Sequence, residues 1–334
     1  MESRTKSGQF LARLPFRDLQ AEFYYSKTRE MRFTMALDSL NELTTEDIYP
    51  ARTEIVLWRD GVKIFCGPLW DLNISSGERT VKLIAADLSS YFEKRAMQDK
   101  ETLTGTYGNI AWNLISESQA RVNGGLGITR GTAVPSNAPS GSYTVKKGQY
   151  LNDALEEIYD GNNGFDWVIT ADRVYHQFYP RLNSRAPVRL EYGGNIQSYS
   201  DTIQGKYIGN HVRTIGKDGI ISNPAVDTVS QAEYGLMDYV GEQTGLSNIN
   251  LLNAHNAQSL DDRRVPRRAP GITLNSTLIN PFDGDINYGQ IATVVINDGY
   301  TQYNKDMLCQ GFQLNFGKSG NESFTLYMEG SGEE

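Results

Sequence analysis

Between Arg52 and Leu69 the chain reads RTEIVLWRDGVKIFCGPL, two apolar runs that fold back on each other at Asp60-Gly61. Asp-Gly between such runs predicts a hairpin, because both central residues of a type I′ turn need positive φ, which Gly adopts freely and Asp tolerates. A two-residue turn places Leu57 opposite Ile64 and Ile55 opposite Cys66 on one face, with Val56 opposite Phe65 and Trp58 opposite Lys63 on the other. A sheet wetted on one side is polar on one of these sets, and here neither set is. Both faces are therefore expected to be covered, the second by another sheet of the same chain or by another subunit.

The chain around this hairpin has 334 residues, enough for two or more domains. Its 19 Tyr and 32 Gly suit β structure, Tyr favouring strands and Gly supplying turns and bulges. A net charge of −8 lacks the basic balance of a general nucleic-acid binder, so no specific nucleic-acid binding is expected. Cys66 and Cys309 are too few for a disulfide framework and fall inside expected strands, where a free thiol acts as a small hydrophobe. MESRTKSGQFLARL holds no apolar signal region, and no run of about 18 apolar residues occurs, so neither a signal peptide nor a membrane span is expected, and folding is expected in the cytosol.

Residues 1–95 read as strands (EFYYSK, REMRFTMAL, the hairpin, LWDLNIS, RTVKLIAADL), an antiparallel meander of barrel or sandwich type. Residues 96–186 read as an α/β insert. Asn109 is an N-cap candidate for NIAWNLISESQ, and in GQYLNDALEEIYDG the apolar Leu151, Ala154, Leu155, Ile158 and Tyr159 recur at helical spacing until Gly161 stops them. After these, Phe165, Trp167 and Ile169 alternate, Ala171-Asp172 turns, and Val174, His176 and Phe178 alternate again. Residues 187–334 return to strands with one helix, NAHNAQSLDDRR, and a second Asp-Gly turn at Asp298-Gly299. No tandem repeat of fixed period is present, which disfavours solenoids and propellers.

Catalytic signatures are missing from this pattern, and no cofactor or metal is implied. His176, His211 and His255 lie in separate segments without partners at metal-ligand spacing. FGKSG at 316–320 lacks the first Gly of a phosphate loop, since Phe312 stands there. PFDGDINYG places Asp283, Asp285 and Asn287 at alternate positions, but Tyr288 and Val294 stand where a calcium loop needs Gly and Glu, so an acidic turn is expected. Asp153, Glu156, Glu157 and Asp160 read as the solvated face of an amphipathic helix. The dense basic run RRVPRR carries Arg263, Arg264, Arg267 and Arg268; it reads as a complement to a helix C-terminus, as an inter-subunit clamp, or as a DNA contact.

Several of these pieces, in order, resemble the hub or minor tail proteins at the tail tip of long-tailed phages, the siphoviruses, especially those of actinobacteria. They are EIVLWRDGVKIFCGPL with TVKLIAADL; a helix followed by GGLGIT; GQYLNDALEEIYDGNNGFDWVI; LEYGGNIQSYS with GNHVRTIG; EYGLMDYV with AHNAQSLDDRRVP; and IATVVI with DMLCQGFQLNFGKSGNESFTLYM. The resemblance implies a mainly β fold of two small antiparallel β-barrel-like domains joined by α/β elements, and a homotrimeric ring closing the distal tail tube. It further implies a structural, non-enzymatic role in the virion: connecting the distal tail protein ring, the tape measure and the tip adhesins, and letting DNA pass at infection. Val56, Trp58, Phe65, Arg263, Arg264, Arg267 and Arg268 are then the expected subunit contacts. Because the final β set runs to EGSGEE, no appended hydrolase domain is expected. The competing class is a receptor- or glycan-binding β module using Tyr and Trp, although the tyrosines spread over every segment.

Overall fold

The structure, a computed structural model, describes residues 1–330 except 45, 161–163, 244–247, 269, 300 and 318–319. Period-2 alternation builds the first β region: β1 (Glu2–Thr5), β2 (Phe10–Arg13), β3 (Asp18–Tyr24), β4 (Glu30–Ala36), β5 (Thr53–Arg59), β6 (Val62–Ser75) and β7 (Thr80–Ala86). Leu19, Ala21 and Phe23 of β3 and Met31, Phe33 and Met35 of β4 point into the core, none more than 3% exposed. The expected meander is rearranged, because β4 pairs with β7 while β5 pairs with β1 and β6.

The β5–β6 hairpin turns at Asp60 and Gly61, with φ of 50° and 79°. Trp58 faces Lys63 as expected, but Ile64 bulges out of the ladder, so Leu57 meets Phe65, Val56 meets Cys66 and Ile55 meets Gly67. That one-residue slip carries Phe65 to the face of Ile55 and Leu57, where all three join the main core. Farther along β6 a second bulge frees Trp70 from pairing, and its ring packs against the core of the insert, with Nε1 donating to Ser90 Oγ at 2.9 Å.

The insert comprises β8 (Glu101–Thr106), α1 (Tyr107–Ala120), β9 (Thr129–Arg130), β10 (Ser140–Val145), α2 (Leu151–Asp160), β11 (Asp166–Ile169) and β12 (Val174–Phe178). It has its own hydrophobic core, to which Leu88, Tyr91 and Phe92 also belong. Helix α1 is capped by Thr106 rather than Asn109: the Thr106 hydroxyl accepts from the Asn109 N–H at 3.3 Å. Every apolar residue of the α2 periodicity is buried, and the expected stop at Gly161 lies outside the described residues. In β12 the buried side chains are Tyr175 and Gln177, not the expected alternating set. Gln177 donates to the Gly108 carbonyl at 2.8 Å and to the Tyr175 hydroxyl at 3.2 Å, so a polar residue sits inside at no cost in unmade bonds.

The last part contains β13 (Ser184–Glu191), β14 (Ile196–Ser200), β15 (Ile203–Gln204), β16 (His211–Gly216), β17 (Ala225–Val226), α3 (Thr228–Tyr234), β18 (Asp238–Gln243), α4 (Ile249–Arg263), β19 (Arg267–Arg268), β20 (Gly271–Leu274), β21 (Gln290–Asn297), β22 (Gln302–Phe316) and β23 (Glu322–Gly330). β22 pairs with both β23 and β3, which joins the two outer β regions, expected as separate domains, into one 13-stranded sheet over one core. The pairing path runs from β14 at one end to β2 at the other. Residues 203–268 leave this sheet as a second small α/β unit, with β17, β16 and β18 side by side against α4. Only one helix was expected in this region; α3 is the addition, held by its Asp227 N-cap.

The long strands β6 and β22 each pack a glycine against neighbouring backbone. A Cβ on Gly67 would stand 1.8 Å from the Ala86 carbonyl oxygen, and one on Gly311 would stand 2.5 Å from the Phe23 carbonyl oxygen. We expect Gly67→Ala or Gly311→Ala to lower the unfolding free energy by about 3 kcal/mol or more, measured as a drop in urea midpoint, whereas Gly77→Ala at an open turn should leave it unchanged.

Candidate assembly surfaces

The hairpin face turned away from the main core carries Glu54, Val56 and Cys66, each no more than 6% exposed. Its cover comes from the insert. Ala171, Asp172 and Arg173, at the β11–β12 turn, enclose with Arg4 and Gly8 a cavity of about 160 Å³ over Val56, Lys63 and Cys66. Lys63 Nζ pairs with Asp172 Oδ1 at 2.7 Å, Arg173 pairs with the buried Glu54 carboxylate, and Arg173 Nη1 also donates to the Leu126 carbonyl at 2.7 Å. Burial holds the Glu54 carboxyl above its usual range, with the guanidinium opposing that rise. The same burial pushes the Cys66 thiol up to about 12, and the Cys309 thiol likewise.

Val56 and Phe65, at 2% exposure, are thus enclosed by their own chain. Of the two covers expected for this hairpin, intrachain and intersubunit, these side chains take the first. Trp58 is half-buried: its Nε1 donates to Glu2 Oε2 at 3.0 Å, and the Arg4 guanidinium and Lys63 ammonium lie 5.9 and 5.5 Å from its ring centroid.

Two more buried carboxylates lie on the seam between insert and sheet. Asp166 accepts from Ser26 Oγ at 3.3 Å and from the Leu182 N–H at 2.7 Å, while Asp87 accepts from the Ser89 N–H at 3.0 Å and stands 3.9 Å from Arg29. Burial raises both pKa values.

The basic run separates. Arg263, in the last turn of α4, stacks its guanidinium 3.8 Å over the Tyr239 ring, and Arg264 Nε lies 3.1 Å from Asp261 Oδ1. Arg267 and Arg268 form β19 against β15, and their side chains lie outside the described residues. The histidines stay apart as well. His176 Nδ1 accepts from the Thr132 N–H at 3.1 Å, His211 Nδ1 lies 2.6 Å from Asp238 Oδ1, and His255 Nε2 lies 3.1 Å from Gln243 Nε2. Among the described residues no group of His, Cys, Asp and Glu is arranged for a metal. PFDGDINYG builds a turn, with Gly284 at φ 87° and Asp285 accepting from the Asn280 N–H at 2.9 Å. Glu157 accepts from the Tyr143 hydroxyl at 2.8 Å; the Asp160 side chain, and Lys318 and Ser319 of FGKSG, lie outside the described residues.

Sequence reasoning missed the surface of the 203–268 unit. Its interior is polar: Asn256 donates to Ser222 Oγ at 2.6 Å and to the Asn223 carbonyl at 2.7 Å, and accepts from Thr214 Oγ1 at 2.6 Å. The large hydrophobic side chains buried there among the described residues are Val212 and Leu252. Outside stand Val229 at 77%, Leu236 at 64% and Val240 at 56% exposure. More than half of the large hydrophobic residues exposed among the described residues lie between 203 and 249. The available signal was the apolar residues on either side of SQAEY, which fit neither helical nor strand periodicity.

No family model matches the sequence, and no curated protein matches it. Solved structures match over nearly the whole chain. The 43 kDa tail protein of prophage MuSo2 from Shewanella oneidensis aligns at 11% identity with a TM-score of 0.68, covering 99% of this chain and 97% of that one. A tail protein from Neisseria meningitidis MC58 aligns at 13% identity and 0.66, covering 99% and 96%. The E. coli c3393 protein, a type VI secretion component described as structurally similar to the T4 bacteriophage tail proteins gp27 and gp5, aligns at 10% identity and 0.53, covering 99% and 77%. At such identities the likeness is one of fold, and that fold is the fold of phage tail proteins.

Removing Arg173 strands a buried carboxylate. Arg173→Ala should cost about 3–5 kcal/mol in unfolding free energy near neutral pH. With its carboxyl raised further, Glu54 then favours the folded state when protonated, so the deficit against wild type shrinks as pH falls and grows as pH rises through the folded-state value. Adding Glu54→Gln should recover most of the loss. A second outcome concerns the thiols: with both thiols pushed up to about 12, an aromatic disulfide reagent at pH 8 should label neither cysteine until denaturant is added.

Proposed function

We propose that this protein is a structural component of a phage tail, the hub ring at the tail tip, and that it acts without enzymatic chemistry. The observation that carries the proposal is the match to prophage tail proteins along the whole length of both chains. The likeness to c3393, itself described as similar to gp27 and gp5, supports placement at the hub.

Internal architecture supports the ring. β5–β6–β7 and β21–β22–β23 follow one plan: a hairpin turned at Asp-Gly, a long central strand with a bulge and a Cys and Gly near its middle, and a return hairpin. Two such halves in each chain would act as the two barrel-like modules of a hub, and three chains would set six of them around a lumen. The ring would then join the distal tail protein ring above to tip adhesins below, hold the end of the tape measure, and open for DNA. A chain of net charge −8 repels DNA passing through it.

Gold-labelled antibody against this chain, applied to intact particles in the electron microscope, should mark the distal end of the tail, and averaged images of that end should show threefold symmetry. Label along the tube or at the capsid would refute the placement.

A further inference from the structure

We propose that the cavity between the β5–β6 hairpin and the insert is a binding site for a small tetrahedral oxyanion, a phosphate or sulfate dianion, which clasps the insert to the sheet. The site goes beyond the hub reading and does not depend on it.

The charges around the cavity point to an anion. Arg4, Lys63 and Arg173 line it against one carboxylate, Asp172. Glu2 and Glu54, which pair with Arg4 and Arg173, are not among the lining residues, and the Asp172 side chain is 68% exposed, where water and salt screen it. Lys6, in the same turn as Gly8, adds a fourth cation, its ammonium 5.5 Å from the Tyr91 ring centroid. Cations gathered round one cavity repel each other, and an anion among them turns that repulsion into attraction.

Donors remain for such a ligand. Arg4 donates through Nε and Nη2 to Glu2 and through Nη1 to the Gly8 carbonyl, and the Lys63 ammonium donates to Asp172. The hydrogen bonds of Arg173 run through Nη1 and Nη2 to Glu54 and Leu126. A guanidinium has five N–H groups and an ammonium three, so each of these side chains keeps N–H groups to offer.

Size and shape select the class of anion. A volume of about 160 Å³ matches the share of roughly five waters in the liquid and falls below the ~300 Å³ at which sites for larger organic ligands begin. The three lining cations come from three segments: β1, the β5–β6 hairpin and the β11–β12 turn. A planar carboxylate satisfies one fork of donors, whereas a tetrahedral oxyanion turns oxygens toward all three. Val56, Cys66 and Ala171 complete the wall, and Cys66, its thiol pushed up to about 12, stays neutral beside the anion. Since these segments belong to both the sheet and the insert, a bound dianion ties the two together alongside the Glu54–Arg173 pair.

The test is isothermal titration calorimetry and thermal unfolding of the full chain at pH 8. Sodium phosphate, sulfate or acetate is added while sodium chloride holds the ionic strength constant. Phosphate and sulfate should bind and, at saturation, raise Tm by at least about 2 °C, and acetate should do neither. Lys63→Gln should weaken phosphate binding at least tenfold. Ala171→Met, which fills the cavity and leaves every charge in place, should abolish it, with circular dichroism confirming that both variants fold. Lys147→Gln, at an exposed position outside the cavity, should bind as wild type does. A wild-type chain that binds neither dianion, phosphate binding unchanged in Lys63→Gln and Ala171→Met, or acetate bound as tightly as phosphate would each overturn the proposal.

Discussion

The pairing of Gly311–Phe316 with Leu19–Tyr24 holds the molecule together, because it is where the end of the chain closes on its beginning. Tyr24 lies against Gly311 so closely that no other side chain fits there, and Phe23 stacks on Phe312 with centroids 4.9 Å apart. With this ladder in place the two β regions share one core, and Phe312, Phe324 and Phe282 pack across it. Without it each region would expose the apolar face of an open sheet. A contact spanning almost the entire sequence also makes loop closure a large entropic term, so folding depends on the last strands arriving.

The insert is joined to this frame by apolar packing, through Trp70, Leu88, Tyr91 and Phe92, and by buried polar ties. Glu54–Arg173 and Asp166–Ser26 cross the seam, and both carboxylates are buried. Buried pairs of this kind add little net stability over well-packed hydrophobics, but they penalise misplacement heavily, since any displacement leaves a charge without its partner. The seam therefore specifies orientation: the β11–β12 turn has one place to sit, over Val56 and Cys66.

The 203–268 unit follows the opposite rule. Its interior bonds are amide and hydroxyl networks centred on Asn256 and Asn210, and its aliphatic residues face out. Networks of this sort fix a single arrangement when every member is satisfied.

Local signals in the sequence determined the local elements. Asp60-Gly61 sets the hairpin because turn stereochemistry needs nothing beyond those two residues, and the i, i+3, i+4 spacing of Leu151–Tyr159 sets α2 because periodicity is a property of one segment. The mainly β character with an α/β insert was legible for the same reason. The Ile64 bulge was not, since a flat alternation gives no sign of which residue will be squeezed out, and with it went the faces of Phe65 and Cys66. Tertiary structure alone decided that β3 meets β22, that a turn covers the hairpin through Glu54 and Arg173, 119 residues apart, and that Gln177 and Asn256 are inside while Val229 and Leu236 are outside. Burial depends on the partners a side chain meets across the fold, and those partners lie far away in sequence.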